Sequence, residues 1–225
     1  AVLYFSYRLI QFPLGVFSNA LSQAILPTFS TQALEESRDQ LKRTLSWSLR
    51  AVFFVMVPAS AGFMVLAKPM VFSLFGGGRF DSYSANLTAS ALFFYSLGLF
   101  AYGGTKVLQA CFFSLKDTVT PTKIAGITLT LNIVLNAALM FPLKISGIAL
   151  ATSLSGIITF FILFFMLKDK IGDFGIKEIG VSFLRVLLAS ICMAAVCHFA
   201  ARISVNKYLN LTISVLMGLA SYGIF

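Results

Sequence analysis

Residues 1–30 read AVLYFSYRLIQFPLGVFSNALSQAILPTFS. A bilayer-spanning helix needs about 20 mostly apolar residues, and this stretch is long enough. It also carries Arg8, Gln11, Asn19 and Gln23. At the α-helical advance per residue, Arg8, Gln11, Gly15, Asn19 and Ser22 fall along one stripe, with Leu9, Phe12, Val16 and Leu21 elsewhere. A membrane helix with one polar stripe does not face lipid all round. It lines a wet cavity or packs on other polar helices. An arginine costs about 2.5–3.5 kcal/mol at the bilayer centre by insertion scales. Arg8 therefore needs an anionic partner, water or the interface. Either it faces a central cavity and meets an anionic substrate there, or it snorkels to the nearby membrane surface. Intramembrane ionisable groups are functional by default, which favours the first reading.

Composition sets the class. The 225 residues are 58% hydrophobic and only 11% charged, against about 25% charged in soluble domains. With a mean hydropathy of +0.90, the chain reads as an all-α polytopic membrane protein. All eight acids (Glu35, Glu36, Asp39, Asp81, Asp117, Asp169, Asp173 and Glu178) fall in expected loops or at helix ends. The net charge of +9 is then a loop property that the positive-inside bias explains, and nucleic acid is not an expected partner. Cys111, Cys192 and Cys197 lie in apolar runs with no C-x-x-C pair, and read as buried thiols. The chain does not begin with Met and enters directly at a hydrophobic segment, so a portion of a longer protein is expected.

Further spans follow in order. Residues 31–44 form a polar connector suited to an amphipathic surface helix. A second span covers about 45–75, and Pro58 and Pro69 should bend it or end it early. Gly76-Gly77-Gly78-Arg79 reads as a tight turn, since no P-loop pattern surrounds it. Asp81 or Ser82 should cap the third span, which covers about 83–114 and places Lys106 and Gln109 on one face near its end. Lys106 either lines the same cavity as Arg8 or snorkels to the interface. Pro121 suits the first turn of the fourth span, residues 121–141, in which Asn132 and Asn136 stack on one face. The fifth span, 145–167, opens with Gly147, Ala149, Ala151, Ser153 and Gly156; small residues let helices approach closely. Thr152 is positioned to aim its hydroxyl at the asparagine pair. A polar loop covers 168–180. The sixth span, 181–203, holds His198, read as packed or interfacial. A turn at 206–210 leads into a seventh span at 211–225.

Loop charge orients the spans. The loops after spans one, three and five hold Arg38, Lys42, Arg43, Lys116, Lys123, Lys168, Lys170 and Lys177; the others hold Arg79, Lys144, Arg202 and Lys207. The richer group belongs in the cytoplasm, which puts Arg8 in the outer half of the membrane. There is no nucleophile elbow, H-E-x-x-H, Walker motif or paired carboxylate, so an enzyme is not expected. A cationic polar helix, kinked spans and small-residue packing read as a transporter for an anionic ligand, because Arg makes bidentate contacts to phosphate oxygens.

Several motifs resemble one family, the MurJ/MviN lipid II flippases. They are Tyr7-Arg8-Leu9 with Phe12-Pro13-Leu14-Gly15-Val16, then Leu26-Pro27-Thr28-Phe29-Ser30 and Leu74-Phe75 with Gly78-Arg79-Phe80-Asp81. Lys106-Val107-Leu108, Phe112-Phe113-Ser114 with Asp117-Thr118-Val119-Thr120-Pro121, and residues 147–153 complete the set. The resemblance covers essentially the whole chain. It implies a MATE-like, two-lobed transporter fold of fourteen spans, of which this chain resembles spans eight to fourteen. The second lobe's five spans would occupy residues 1–168. A C-terminal pair at 169–225, its last helix truncated, would form a groove for the lipid tail. The implied function is flipping of lipid II, the lipid-linked peptidoglycan precursor, from inner to outer leaflet by alternating access in the bacterial inner membrane. The implied partners are lipid II, membrane lipids and an N-terminal lobe of the same protein. Arg8 would engage the pyrophosphate, with Gln11, Asn19 and Lys106 also binding substrate. In some members a sodium site sits at positions that look like Asn132, Asn136, the Ile148 carbonyl and Thr152; one of those ligands is an aspartate where this sequence has Asn136. Some members carry Glu where Gln11 stands. A flippase for another polyprenyl-linked saccharide, a MATE-type exporter and a membrane scaffold are the competing readings.

Overall fold

In the computed structural model, which describes residues 2–34, 38–75 and 81–203, every element is helical. The Gly76–Arg79 turn, the 206–210 turn and the seventh span lie outside the described residues. The first span is α1 (Val2–Pro13), a π-helical segment (Leu14–Asn19) and α2 (Ala20–Leu34). Pro13 has no N–H to donate, and its ring crowds the carbonyl four residues back; the π segment begins directly after it. Ser6, Ile10, Leu14 and Ser18 are all buried, a four-residue spacing that drifts around an ideal α-helix. The wider i→i+5 turn takes up that drift and keeps Ser18 on the packed face. Ser6 Oγ donates to the Thr88 carbonyl at 2.8 Å, which fastens this face to the third span.

Helix α3 runs unbroken from Arg38 to Leu74, with Pro58 and Pro69 inside it. The expected separate surface helix is therefore partly absorbed: residues 38–44 are the first turns of the second span, and neither proline ends it. Neighbouring helices and side chains compensate prolines inside membrane helices. The third span is two helices, α4 (Ser82–Leu97) and α5 (Leu99–Ser114), bent by 44° at Gly98. Asp81 caps α4 by accepting from the Ser84 amide at 3.0 Å, as anticipated.

Helix α6 covers Val119–Ile171, but Lys144 (φ 51°, ψ −130°) reverses it. Three cross-limb bonds give the register: Asp117 with Lys170, Thr128 with Thr159 at 2.5 Å, and Asn132 with Ser155 at 2.8 Å. Each pair is nearly equidistant from Lys144, so the two limbs are antiparallel and are the expected fourth and fifth spans. The limbs meet tightly at the reversal, where a Cβ on Gly147 would lie 2.1 Å from the Leu139 carbonyl oxygen. The expected 168–180 loop shrinks to four residues. Helix α7 (Ile176–Ile203) starts early because Asp173 accepts from the Gly175 and Ile176 amides at 3.0 and 3.1 Å.

Helix α5 is central, packing on α2, α3, α6 and the π segment. Gly103 makes this approach close: a Cβ there would lie 2.7 Å from Ser18 Oγ and 2.8 Å from Val52 Cγ1. Helix α7 docks on α3. Phe53, Phe100, Phe160 and Phe183 knit α3, α5, α6 and α7 together, with ring centroids 5.2 to 6.3 Å apart. Edge contacts of this kind add to area burial.

Asp117 locks the loop end of the α6 hairpin. It accepts from the Thr120 amide at 2.9 Å and from Thr120 Oγ1 at 2.8 Å, besides pairing with Lys170. Lys170 first, then the Thr120 amide, hold its carboxyl down to about 2, against about 3.9 for a free Asp. The folded-state value is depressed, so the stabilisation is complete above about pH 4 and is lost as pH falls through about 2. Asp117→Asn is expected to lower stability by about 1 kcal/mol at pH 7, a figure reduced for the exposure of the lysine. Thermal unfolding in detergent should show this difference narrowing as the pH is lowered.

Candidate functional site

Arg8 stands on the exposed side of α1, opposite the buried Ser6 and Ile10. Tyr4, one turn earlier, orients it. Arg8 Nε and Nη2 both donate to the Tyr4 hydroxyl, at 3.1 and 2.9 Å, and the guanidinium carbon lies 5.2 Å from the tyrosine ring centre. No carboxylate pairs with Arg8 among the described residues. The fork is thus held in place with donors still available for an anion. The polar stripe drawn from ideal geometry is only partly kept. Arg8 and Gly15 are exposed, whereas Gln11, Asn19 and Ser22 are half-buried. Gly15 and Asn19 lie within the π segment, whose wider turn moves Asn19 and Ser22 out of phase with Arg8.

Lys106 and Gln109 share a cleft of about 400 Å³ between α5 and the two limbs of α6. Asn132, Thr152, Ser155 and Thr128 line the same cleft, and Arg8 does not. The structure therefore joins Lys106 to the fourth and fifth spans and leaves Arg8 on a separate face. The Tyr7 ring packs on Tyr95 at 5.9 Å, and the Tyr95 hydroxyl lies against Thr152. Tyr102 lines the cleft with a buried hydroxyl that approaches Ser153 without completing a hydrogen bond. Tyr95, Tyr102 and Ser155 carry no motif of their own, and only the Gly98 bend and the α6 register bring them here.

The asparagine pair is stacked as expected: Asn136 Nδ2 donates to Asn132 Oδ1 at 2.7 Å. Its partner across the hairpin is Ser155, not Thr152. Thr152 instead donates to the Ile148 carbonyl at 2.9 Å. The antiparallel register explains the difference, since it places Ser155 opposite Asn132. The four residues suggested for sodium are consequently engaged among themselves, and only Asn136 Oδ1 is buried without a partner. A hard cation takes several oxygen ligands, and no cluster of three His, Cys, Asp or Glu exists among the described residues. This neutral set, with one unengaged oxygen, does not fit the ion.

Comparison with known proteins agrees with this architecture. The family model described as "Lipid II flippase MurJ" matches residues 1–219. A probable lipid II flippase MurJ of Vibrio cholerae is 38% identical over 162 residues, covering 72% of this chain and 31% of that protein. One from Haemophilus influenzae is 35% identical over 213 residues, covering 90% of this chain and 41% of that protein. A solved structure of lipid II flippase MurJ in an inward closed conformation superposes with a TM-score of 0.85 at 28% identity, covering 99% of this chain and 45% of that one. The chain spans less than half the length of these relatives. It is a multi-pass protein of the bacterial inner membrane, and it belongs to the MurJ lipid II flippase family.

Proposed function

We propose that this chain forms one wall of the path by which a lipid II flippase carries lipid-linked peptidoglycan precursor across the inner membrane. The observation that carries the proposal is Arg8. It is an arginine in a membrane helix, oriented by Tyr4, paired with no acid among the described residues and turned away from its own bundle. Such a group matches a pyrophosphate bidentately. The exposed face around it, with Phe12 and Val16 at 73% and 60% exposure, is the surface that would meet the remainder of the transporter. Gln11 and Asn19, half-buried beside this face, add polar groups to the path, and Lys106 supplies a second cation in the α5–α6 cleft. The five spans of residues 1–168 act as the second lobe of a MATE-like pair. Helix α7 begins the C-terminal group that guides the lipid tail. The chemistry is transport, with no bond made or broken.

The test is rescue. Cells depleted of their own flippase would express the full-length parent, and lipid II in the outer leaflet would be measured with an externally added probe. Restored accessibility supports the proposal, and failure of a well-expressed parent refutes it. Because the Asn132–Thr152 set does not fit sodium, replacing sodium by potassium at constant ionic strength is expected to leave flipping by the parent unchanged. A sodium requirement would return Asn136 to the role of a cation ligand.

A further inference from the structure

A second basic site lies where α7 docks on α3. A cleft of about 350 Å³ there is lined by Arg50 of α3 and by Lys177, Glu178, Val181, Ser182 and Arg185 of α7. Arg50 also borders an adjoining cleft of about 460 Å³ beneath the α6–α7 turn. Ser46 lines that cleft with a hydroxyl that is buried and without a hydrogen-bond partner. Three cations against one acid leave the first cleft with an excess of positive charge. Neither Arg50 nor Arg185 has an ion-pair partner among the described residues.

Depth identifies the ligand class. Arg185 stands between two and three turns inside the apolar segment Ile176–Phe199. Trp47, one turn before Arg50 and 59% exposed, borders the adjoining cleft, and tryptophan favours the headgroup level of a bilayer. Above Arg185 the exposed surface of α7 is wholly apolar through Leu188 and Ile191. A soluble anion would match the arginines but not the apolar strip beside them. An amphiphile with an anionic head and hydrocarbon tails fits both parts. Loop charge puts this end of the helices in the cytoplasmic leaflet, and basic pockets between membrane helices on that side hold anionic lipid headgroups.

We propose that the Arg50–Lys177–Ser182–Arg185 cleft binds the phosphodiester head of an anionic glycerophospholipid of the cytoplasmic leaflet. The two arginines grip the phosphate oxygens from different helices, Ser182 donates to a remaining oxygen, and the acyl chains lie along Leu184, Leu188 and Ile191. The bound lipid thereby clamps α7 to α3.

Native mass spectrometry would test this on the protein released from nanodiscs of equal phosphatidylglycerol and phosphatidylcholine. The expected result is selective retention of phosphatidylglycerol, with R50Q/R185Q reducing the preference about 30-fold and R50K/R185K keeping most of it. Quenching of Trp47 fluorescence by brominated phosphatidylglycerol, but not by brominated phosphatidylcholine, should fall in parallel. Circular dichroism would check that the double variant is folded; if it is not, the single variants R50Q and R185Q decide, each losing about fivefold. Equal retention of the two lipids, or a preference that survives in folded R50Q/R185Q, would overturn the proposal. Stronger retention of an added polyprenyl pyrophosphate through the same arginines would overturn the assignment to a glycerophospholipid.

Discussion

Arg8→Ala in the full-length parent is expected to lower lipid II flipping by at least about a hundredfold at equal expression. The reasoning is local. The guanidinium is fixed by two bonds to the Tyr4 hydroxyl and by stacking on its ring, so little ordering remains to be done when a pyrophosphate arrives. Hydrogen bonds to charged groups contribute about 1.5–3 kcal/mol each. Losing a bidentate pair therefore removes about 3 kcal/mol or more, and each 1.4 kcal/mol is a factor of ten. Arg8→Lys keeps the charge and loses the fork, so an intermediate loss of about tenfold is expected. Tyr4→Phe keeps the ring and removes the hydroxyl, which should loosen the arginine with a smaller effect still. The outer-leaflet probe assay would rank all three. Flipping unchanged in Arg8→Ala would make this residue an interfacial anchor, and the order Ala below Lys below wild type is specific to phosphate contact.

The second large effect is structural. Gly147→Ala is expected to cost about 3 kcal/mol or more and to deplete the folded protein from the membrane. A Cβ at this position would sit 2.1 Å from the Leu139 carbonyl oxygen and 3.2 Å from Leu143 Cβ. The first of these is backbone, which cannot rotate away as a side-chain tip can. The limbs of α6 would have to part at the reversal. The register that pairs Thr128 with Thr159 and Asn132 with Ser155 would then be lost. Gly126, on the same helix, has nothing within 4 Å of its Cβ position, and Gly126→Ala is expected to be neutral or mildly stabilising. Thermal unfolding of the two variants side by side separates steric collision from a general cost of altering a membrane glycine. Similar melting temperatures for both would refute the close-approach explanation.

Much of this protein is written plainly in its residues. Long apolar runs place the first six spans, because a helix must satisfy its backbone polar groups internally in lipid. Asp81 marked a helix start, the gap between the apolar runs 121–141 and 145–167 marked the reversal, and the ordered motifs from Tyr7 to Ser153 carried the family. Arg8 was conspicuous because charge is costly in a membrane. Local signals misled where tertiary packing outweighs them. Pro58 and Pro69 do not end their helix early, and the polar residues from Arg38 onward extend a span instead of lying on the surface.

Other features have no local signature. The π segment after Pro13 arises because Leu14 and Ser18 must both face the bundle, and it breaks the constant advance on which any stripe drawn from sequence depends. The partner of Asn132 is set by the register of a hairpin reversed at Lys144, which selects Ser155 over Thr152. Lys106 joins the fourth and fifth spans and not Arg8 because of how α5 packs between its neighbours. Arg50 and Arg185 are far apart in sequence, and only the docking of α7 on α3 makes them one site. Composition and periodicity fix which segments enter the membrane, since that choice depends on each segment's own transfer energy. Which polar groups meet inside it depends on helix phase, bends and register, and these are properties of the packed bundle.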